Sequence, residues 1–144
     1  MKFLTMILLT LLMGKGCSDE EKQELGSSVI EYSAMTRGFS YTIQIQDKKV
    51  TITKGSREKT VETKDISDQD WKSLIAEVSK LQLEQLSNLK APTEKRFYDG
   101  AAIANLKITY QGKEYKTTDF DDGFPPAEIE SLVNKITIYK PSRE

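Results

Sequence analysis

The chain is expected to fold as an α+β domain: an antiparallel sheet of four to five strands, made of two hairpins each followed by a helix, with the helices packed on one face. Three observations carry this expectation. Two stretches alternate apolar and polar residues with period two around short turns, two others repeat apolar residues at helical spacing, and each hairpin pattern precedes a helical one. At 144 residues, with 38% hydrophobic and 30% charged side chains, the chain has the length and composition of one globular domain.

The first hairpin is "YTIQIQDKKVTITK" (41–54). With Asp47-Lys48 as the turn, Ile45 faces Val50 and Ile43 faces Ile52, so every apolar residue falls on one face and the register is pinned. "EKTVET" (58–63) reads as a further strand, whereas "SSVIEYS" (27–33) is ambiguous. A helix then opens with Ser67 as N-cap, Asp70 at N3, and Ile66 and Trp71 as the staple pair. Trp71, Leu74, Ile75, Val78 and Leu81 form its apolar stripe. "ANLKITYQGKEYKTT" (104–118) repeats the plan around Gln111-Gly112, placing Ile108 opposite Tyr115 and Leu106 opposite Thr117. The second helix opens at "PPAEIE", with Pro126 suited to the first helical position. Its stripe is Ile129, Leu132, Val133 and Ile136. Single-sided hairpins covered by two amphipathic helices leave the other sheet face polar and open to water.

The front of the chain reads differently. Residues 1–13, "MKFLTMILLTLLM", set one Lys before a short apolar run, too short to span a bilayer core of about 30 Å as a stable helix. A positive start, a short apolar core and small residues at the end make a secretory signal over 1–16. Gly14 and Gly16 stand at the −3 and −1 positions before Cys17, the chain's single cysteine. This ending resembles bacterial lipoprotein precursors, in which the cysteine is diacylated by palmitate-type chains and becomes the N-terminus. Ser18, Asp19, Glu20 and Glu21 resemble the acidic export signal of surface-exposed Bacteroidetes lipoproteins. Gly14 departs from the Leu usual in that motif, and Lys15 from its usual −2 residue. The layout as a whole is similar to small uncharacterised flavobacterial-type lipoproteins. That resemblance implies an outer-membrane lipid anchor at Cys17, facing the surface or the periplasm. Two acyl chains suffice for stable anchoring, since buried lipid contributes about 0.8 kcal/mol per CH₂. Residues 17–28 then form the lipidated Cys and a polar tether, 29–140 the single domain and 141–144 a tail. The eleven tether residues after Cys17 reach at most about 40 Å.

Composition narrows the function classes. There is no histidine, which removes Ser-His-Asp and Cys-His catalysis and imidazole metal sites. A lone cysteine makes no internal disulfide. Of 21 basic residues, Lys2 and Lys15 leave with the signal, so 19 stand against 22 acidic ones, a net of −3 that argues against nucleic acid as a partner. Charge is uneven: 47–64 carries six basic and three acidic residues, and 119–130 carries five acidic and none basic. That asymmetry suits either partner steering or two solvated faces. Paired carboxylates serve glycosidases, but 22 acidic residues guarantee chance pairs, so the chain is not expected to be an enzyme.

Two internal stretches are candidate sites. "SNLKAPTEKRFYDGAA" (87–102) is a long connection holding Arg96, Phe97, Tyr98, Asp99 and Gly100, with Gly100 allowing a tight turn. Arg and Tyr commonly anchor interfaces. The alternative has Phe97 and Tyr98 packing on the core and Arg96 pairing with Asp99. "DFDDGFPP" (119–126) sets Asp119, Asp121 and Asp122 beside a Gly, a weak candidate for Ca²⁺. An EF-hand loop begun at Asp119 fails, with Gly123 at position 5 and Phe124 at position 6, although Glu130 falls at 12. Carboxylates near a helix start also have a structural use. The expectation is therefore a membrane-anchored, non-enzymatic binding module without a cofactor, whose partners are the membrane and another envelope protein or a glycan. The alternative is a calcium- or small-ligand-binding envelope protein using the 96–100 and 119–123 loops.

Overall fold

A computed structural model describes residues 25–142; the secretory segment, Cys17 and the acidic 18–21 stretch lie outside the described residues. The elements in order are strands β1 (Val29–Thr36), β2 (Phe39–Gln46), β3 (Lys49–Gly55) and β4 (Lys59–Asp65), helix α1 (Asp68–Ser79), 3-10 turns at Leu83–Asn88 and Lys95–Tyr98, strands β5 (Ile103–Tyr110), β6 (Lys113–Lys116) and β7 (Phe120–Asp121), and a 3-10 turn at Ala127–Ile129 running into helix α2 (Glu130–Thr137).

All strand pairs are antiparallel. The sheet order is β4-β3-β2-β1-β5-β6, and β7 takes the rest of β5's outer edge beside β6. The expected four to five strands are thus an undercount: the sheet has seven. The ambiguous 27–33 stretch supplies β1, which lies between β2 and β5 near the middle of the sheet. The first unit is a four-stranded meander, not a lone hairpin.

Where alternation was clean, the register follows it. Ile45 pairs with Val50 and Ile43 with Ile52, and Ile108 pairs with Tyr115. Both turns take left-handed conformations at both central residues, with φ 50° and 63° at Asp47-Lys48 and 50° and 75° at Gln111-Gly112. That handedness matches the twist of the flanking strands. β6 ends at Lys116, yet Leu106 still meets Thr117: its carbonyl accepts from Thr117 N at 2.9 Å, and its N–H donates to Thr117 Oγ1 at 3.0 Å. A side-chain oxygen there takes the place of a ladder carbonyl.

One sheet face carries the core. Ile30, Tyr32 and Ala34 of β1 lie buried beside Tyr41, Ile43 and Ile45 of β2 and Ala104, Leu106 and Ile108 of β5. Each large aliphatic side chain so buried contributes roughly 2 kcal/mol, so a one-residue slip would forfeit several at once. Trp71, Leu74, Ile75 and Val78 of α1, with Ile129, Leu132, Val133 and Ile136 around α2, join the same core. The Ser67 cap is present, its oxygen accepting from Asp70 N at 3.2 Å, and Ile66 and Trp71 are both buried as a staple requires. Pro126 precedes a 3-10 turn instead of entering an α-helix directly. The opposite sheet face is polar, with Ser33 and Thr42 hydroxyls 3.4 Å apart and Lys107 3.8 Å from Glu31.

Candidate functional site

β7 organises the candidate site because it is a strand. Successive side chains of a strand point to opposite faces, so Asp121 and Asp122, adjacent in sequence, diverge. Asp121 has no exposed surface and lies under the 93–96 turn. It accepts from Thr93 Oγ1, from Lys95 N at 2.7 Å, from Arg96 N at 3.0 Å and from Arg96 Nη1 at 3.1 Å. Burial works against its charge, but those donors outweigh it and hold the carboxyl down at about 2. Arg96 also donates to Thr93 O at 2.9 Å, closing the turn on itself.

Asp122 points into the core side. Tyr32 OH donates to Oδ1 at 2.7 Å, Tyr41 OH lies 2.9 Å from both oxygens, and Lys140 Nζ sits 2.6 Å from Oδ2. Burial, followed by the Asp122 charge, pushes the Tyr32 hydroxyl far above the usual tyrosine range. A buried tyrosine needs a partner for its hydroxyl, and this carboxylate serves two of them while tying the C-terminal segment to the sheet through Lys140.

Asp119 stays apart, its Oδ1 3.4 Å from Asn105 Nδ2. The three carboxylates therefore do not share a centre. Among the described residues no group of three or more acidic, Cys or His side chains stands ready for a metal ion. Most lone pairs of Asp121 and Asp122 already face internal donors.

The 95–100 loop departs from the expectation in three ways. Arg96 pairs with Asp121 and not with Asp99. Phe97 and Tyr98 do not pack on the core; they are 70% and 71% exposed. The left-handed residue that ends the turn is Asp99, with φ 59°, not Gly100. Gly100 N–H closes the turn on Lys95 O at 2.8 Å, and a Cβ at Gly100 would lie 2.8 Å from the Tyr98 ring. A side chain at Gly100 would therefore displace the exposed Tyr98 ring and crowd Lys95, whose Cβ and carbonyl oxygen stand 3.2 Å away.

Around this turn gather five of the seven exposed large hydrophobic side chains of the described residues: Met35, Phe97, Tyr98, Ile103 and Phe124. Met35 pairs with Ile103 across β1 and β5, and Ile103 pairs with Asp121. Phe124 bridges to Asp121 and receives Lys95 Nζ over its ring at 3.9 Å, while the Arg96 guanidinium lies 4.4 Å from the Phe97 ring. A cleft of about 310 Å³, lined by Met35, Arg37, Arg96, Asp99 and Ile103 among others, lies between the turn and the β1–β5 end of the sheet.

No protein-family model and no curated protein matches this chain.

Sequence reading missed Thr93, Tyr32, Tyr41 and Lys140. Tyr32 and Tyr41 could have been found: both sit at core-facing strand positions, where a phenol demands an acceptor. Thr93 and Lys140 carried no such signal.

Proposed function

We propose that the chain is a lipid-anchored envelope protein, held to the membrane through acylated Cys17, that acts as a non-enzymatic binding module. In this reading the 95–100 turn is its contact surface, and a second envelope protein or a glycan is its partner. The single observation that carries the binding reading is the pairing of rigidity with exposure. Phe97 and Tyr98 stand in water on a turn whose base is locked by four donors to buried Asp121. Aromatic side chains held in place in the free protein lose little freedom on binding, the property of interface hot spots. This surface lies at the end of the sheet opposite Val29, where the tether joins β1.

The test has two arms. Intact mass of the protein from its native membrane, set against Cys17→Ala, should show a diacyl mass that the variant loses. A photo-crosslinking residue at position 98 in living cells should give a discrete adduct, and the same residue at exposed Asn134 should not. Absence of an acyl mass removes the anchor. Equal adducts at both positions, or none, remove the contact surface. Calcium is the competing ligand: a rise in melting temperature with millimolar Ca²⁺, following RT ln(1 + [L]/Kd), would favour the ion-binding alternative.

A further inference from the structure

The two exposed large hydrophobic side chains outside that surface, Val61 and Ile138, lie at one edge of the sheet. Val61 is on β4, an edge strand exposed at all seven positions. Ile138 lines a groove of about 360 Å³ with Ile52, Thr60, Glu62 and Lys64 alongside it. β4 runs in unbroken register against β3, from Lys49↔Asp65 to Gly55↔Lys59, with no proline and no bulge. Among the described residues no strand pairs with its outer edge. Ile66 N donates to Lys48 O at 2.8 Å, so alternation along the ladder turns the backbone groups of Thr60, Glu62 and Lys64 toward β3. Those of Lys59, Val61, Thr63 and Asp65 point outward. What guards this edge is charge alone, from Lys59, Glu62, Lys64 and Asp65, which repels a partner of the wrong register and admits one whose charges are complementary.

We propose that β4 pairs antiparallel with β4 of a second copy of this chain, about a two-fold axis through Val61, so that the two sheets become one. Outward groups must meet outward groups, so the axis passes through a residue, and Val61, Glu62 and Thr63 are the centres that keep at least five residues of each strand paired. Centring on Glu62 sets two carboxylates against each other, and centring on Thr63 sets Val61 against Asp65. Centring on Val61 places Val61 on its copy, Lys59 opposite Thr63 and Thr60 opposite Glu62. It also brings Glu58, the residue just before β4 that still bonds Ser56 across the turn, opposite Lys64, and symmetry doubles that charge pair. Like charges never face each other in this register. The Glu62–Lys64 contact within the strand, at 3.4 Å, is exposed and leaves Lys64 able to serve Glu58. An axis perpendicular to the sheet keeps both helical layers on one side and sets the two Ile138 grooves next to each other.

The experiment uses the full-length chain carrying Cys17→Ala, so the inference does not depend on lipid, and measures association by sedimentation velocity over a concentration series. The unaltered edge should dimerise. Lys64→Glu should weaken the dimer about tenfold or more, and the swap Glu58→Lys with Lys64→Glu should restore it. Thr63→Pro, which removes an outward N–H and none that faces β3, should abolish it. Val61→Cys should form an intermolecular disulfide under mild oxidation. Circular dichroism confirms that each variant is folded. A chain that stays monomeric to millimolar concentration overturns the proposal, as does a dimer that Lys64→Glu and Thr63→Pro leave unchanged.

Discussion

Asp121 and Asp122 show how one strand residue decides the work of its neighbour. Asp121 is charged, buried and surrounded by donors, so Asp121→Asn should cost about 3 kcal/mol at neutral pH, because it turns one acceptor oxygen into an NH₂ donor facing Thr93 Oγ1 and the Lys95 and Arg96 amides and removes the charge opposite Arg96. Its carboxyl titrates at about 2 in the folded chain against an ordinary 3.8, a depressed value. The stabilisation is therefore complete above the ordinary carboxylate range and is lost as pH falls through about 2. Urea midpoints should drop more steeply for the wild type than for Asp121→Asn between pH 5 and pH 2, so that the two curves converge. A constant gap would show that the carboxylate's charge is not what holds the turn. Alternation along "DFDDG" already implies that Asp121 and Asp122 part company, once Phe120 is taken as the buried residue. What the sequence hides is the partners: Tyr32 lies 90 positions from Asp122, and no local pattern joins them.

Elements were legible in proportion to how one-sided they are. The hairpin over 41–54 and both helical stripes bury one face, and the hairpin's register and the Ser67 cap follow from period and chemistry, whereas the Pro126 start does not, because a 3-10 turn intervenes. β4 has no buried face, so "KTVETKD" offers no alternation to count, and β7 is two residues long. β7, with the ambiguous β1, explains the undercount of strands, since β4 is the further strand read over 58–63. β1 itself was ambiguous because Val29 and Met35 set apolar residues on the outward face, breaking the alternation that Ile30, Tyr32 and Ala34 make on the buried one. The β5–β6 pair suggests a test of its own. Thr117→Val keeps the shape but removes the oxygen that serves Leu106 N–H, inside the sheet. Leaving that amide unsatisfied should cost about 2 kcal/mol, read as a lower denaturant midpoint at unchanged m. Thr117→Ser should recover most of it.

Among the described residues, the exposed large hydrophobic side chains fall in two places, the 95–100 turn with its neighbours and the β4 edge. Phe97→Ser with Tyr98→Ser should accordingly shift the melting temperature by no more than about 2 °C, since surface substitutions rarely exceed about 0.5 kcal/mol. A larger fall would mean that these rings stabilise the turn instead of waiting for a partner. The position of β1 has a temporal meaning as well. It is the first strand of the domain, yet one of its two neighbours is β5, so Val29 meets Thr109 only across a separation of 80 positions. Synthesis proceeds from the N-terminus, and a meander of β1 to β4 can assemble early from local contacts. Its inner edge nevertheless stays bare until residue 110 has been made. Closing so long a loop is slow compared with forming a hairpin. For that interval a strand from the interior of the finished sheet is the most vulnerable one, open to any extended chain that reaches it before β5 does.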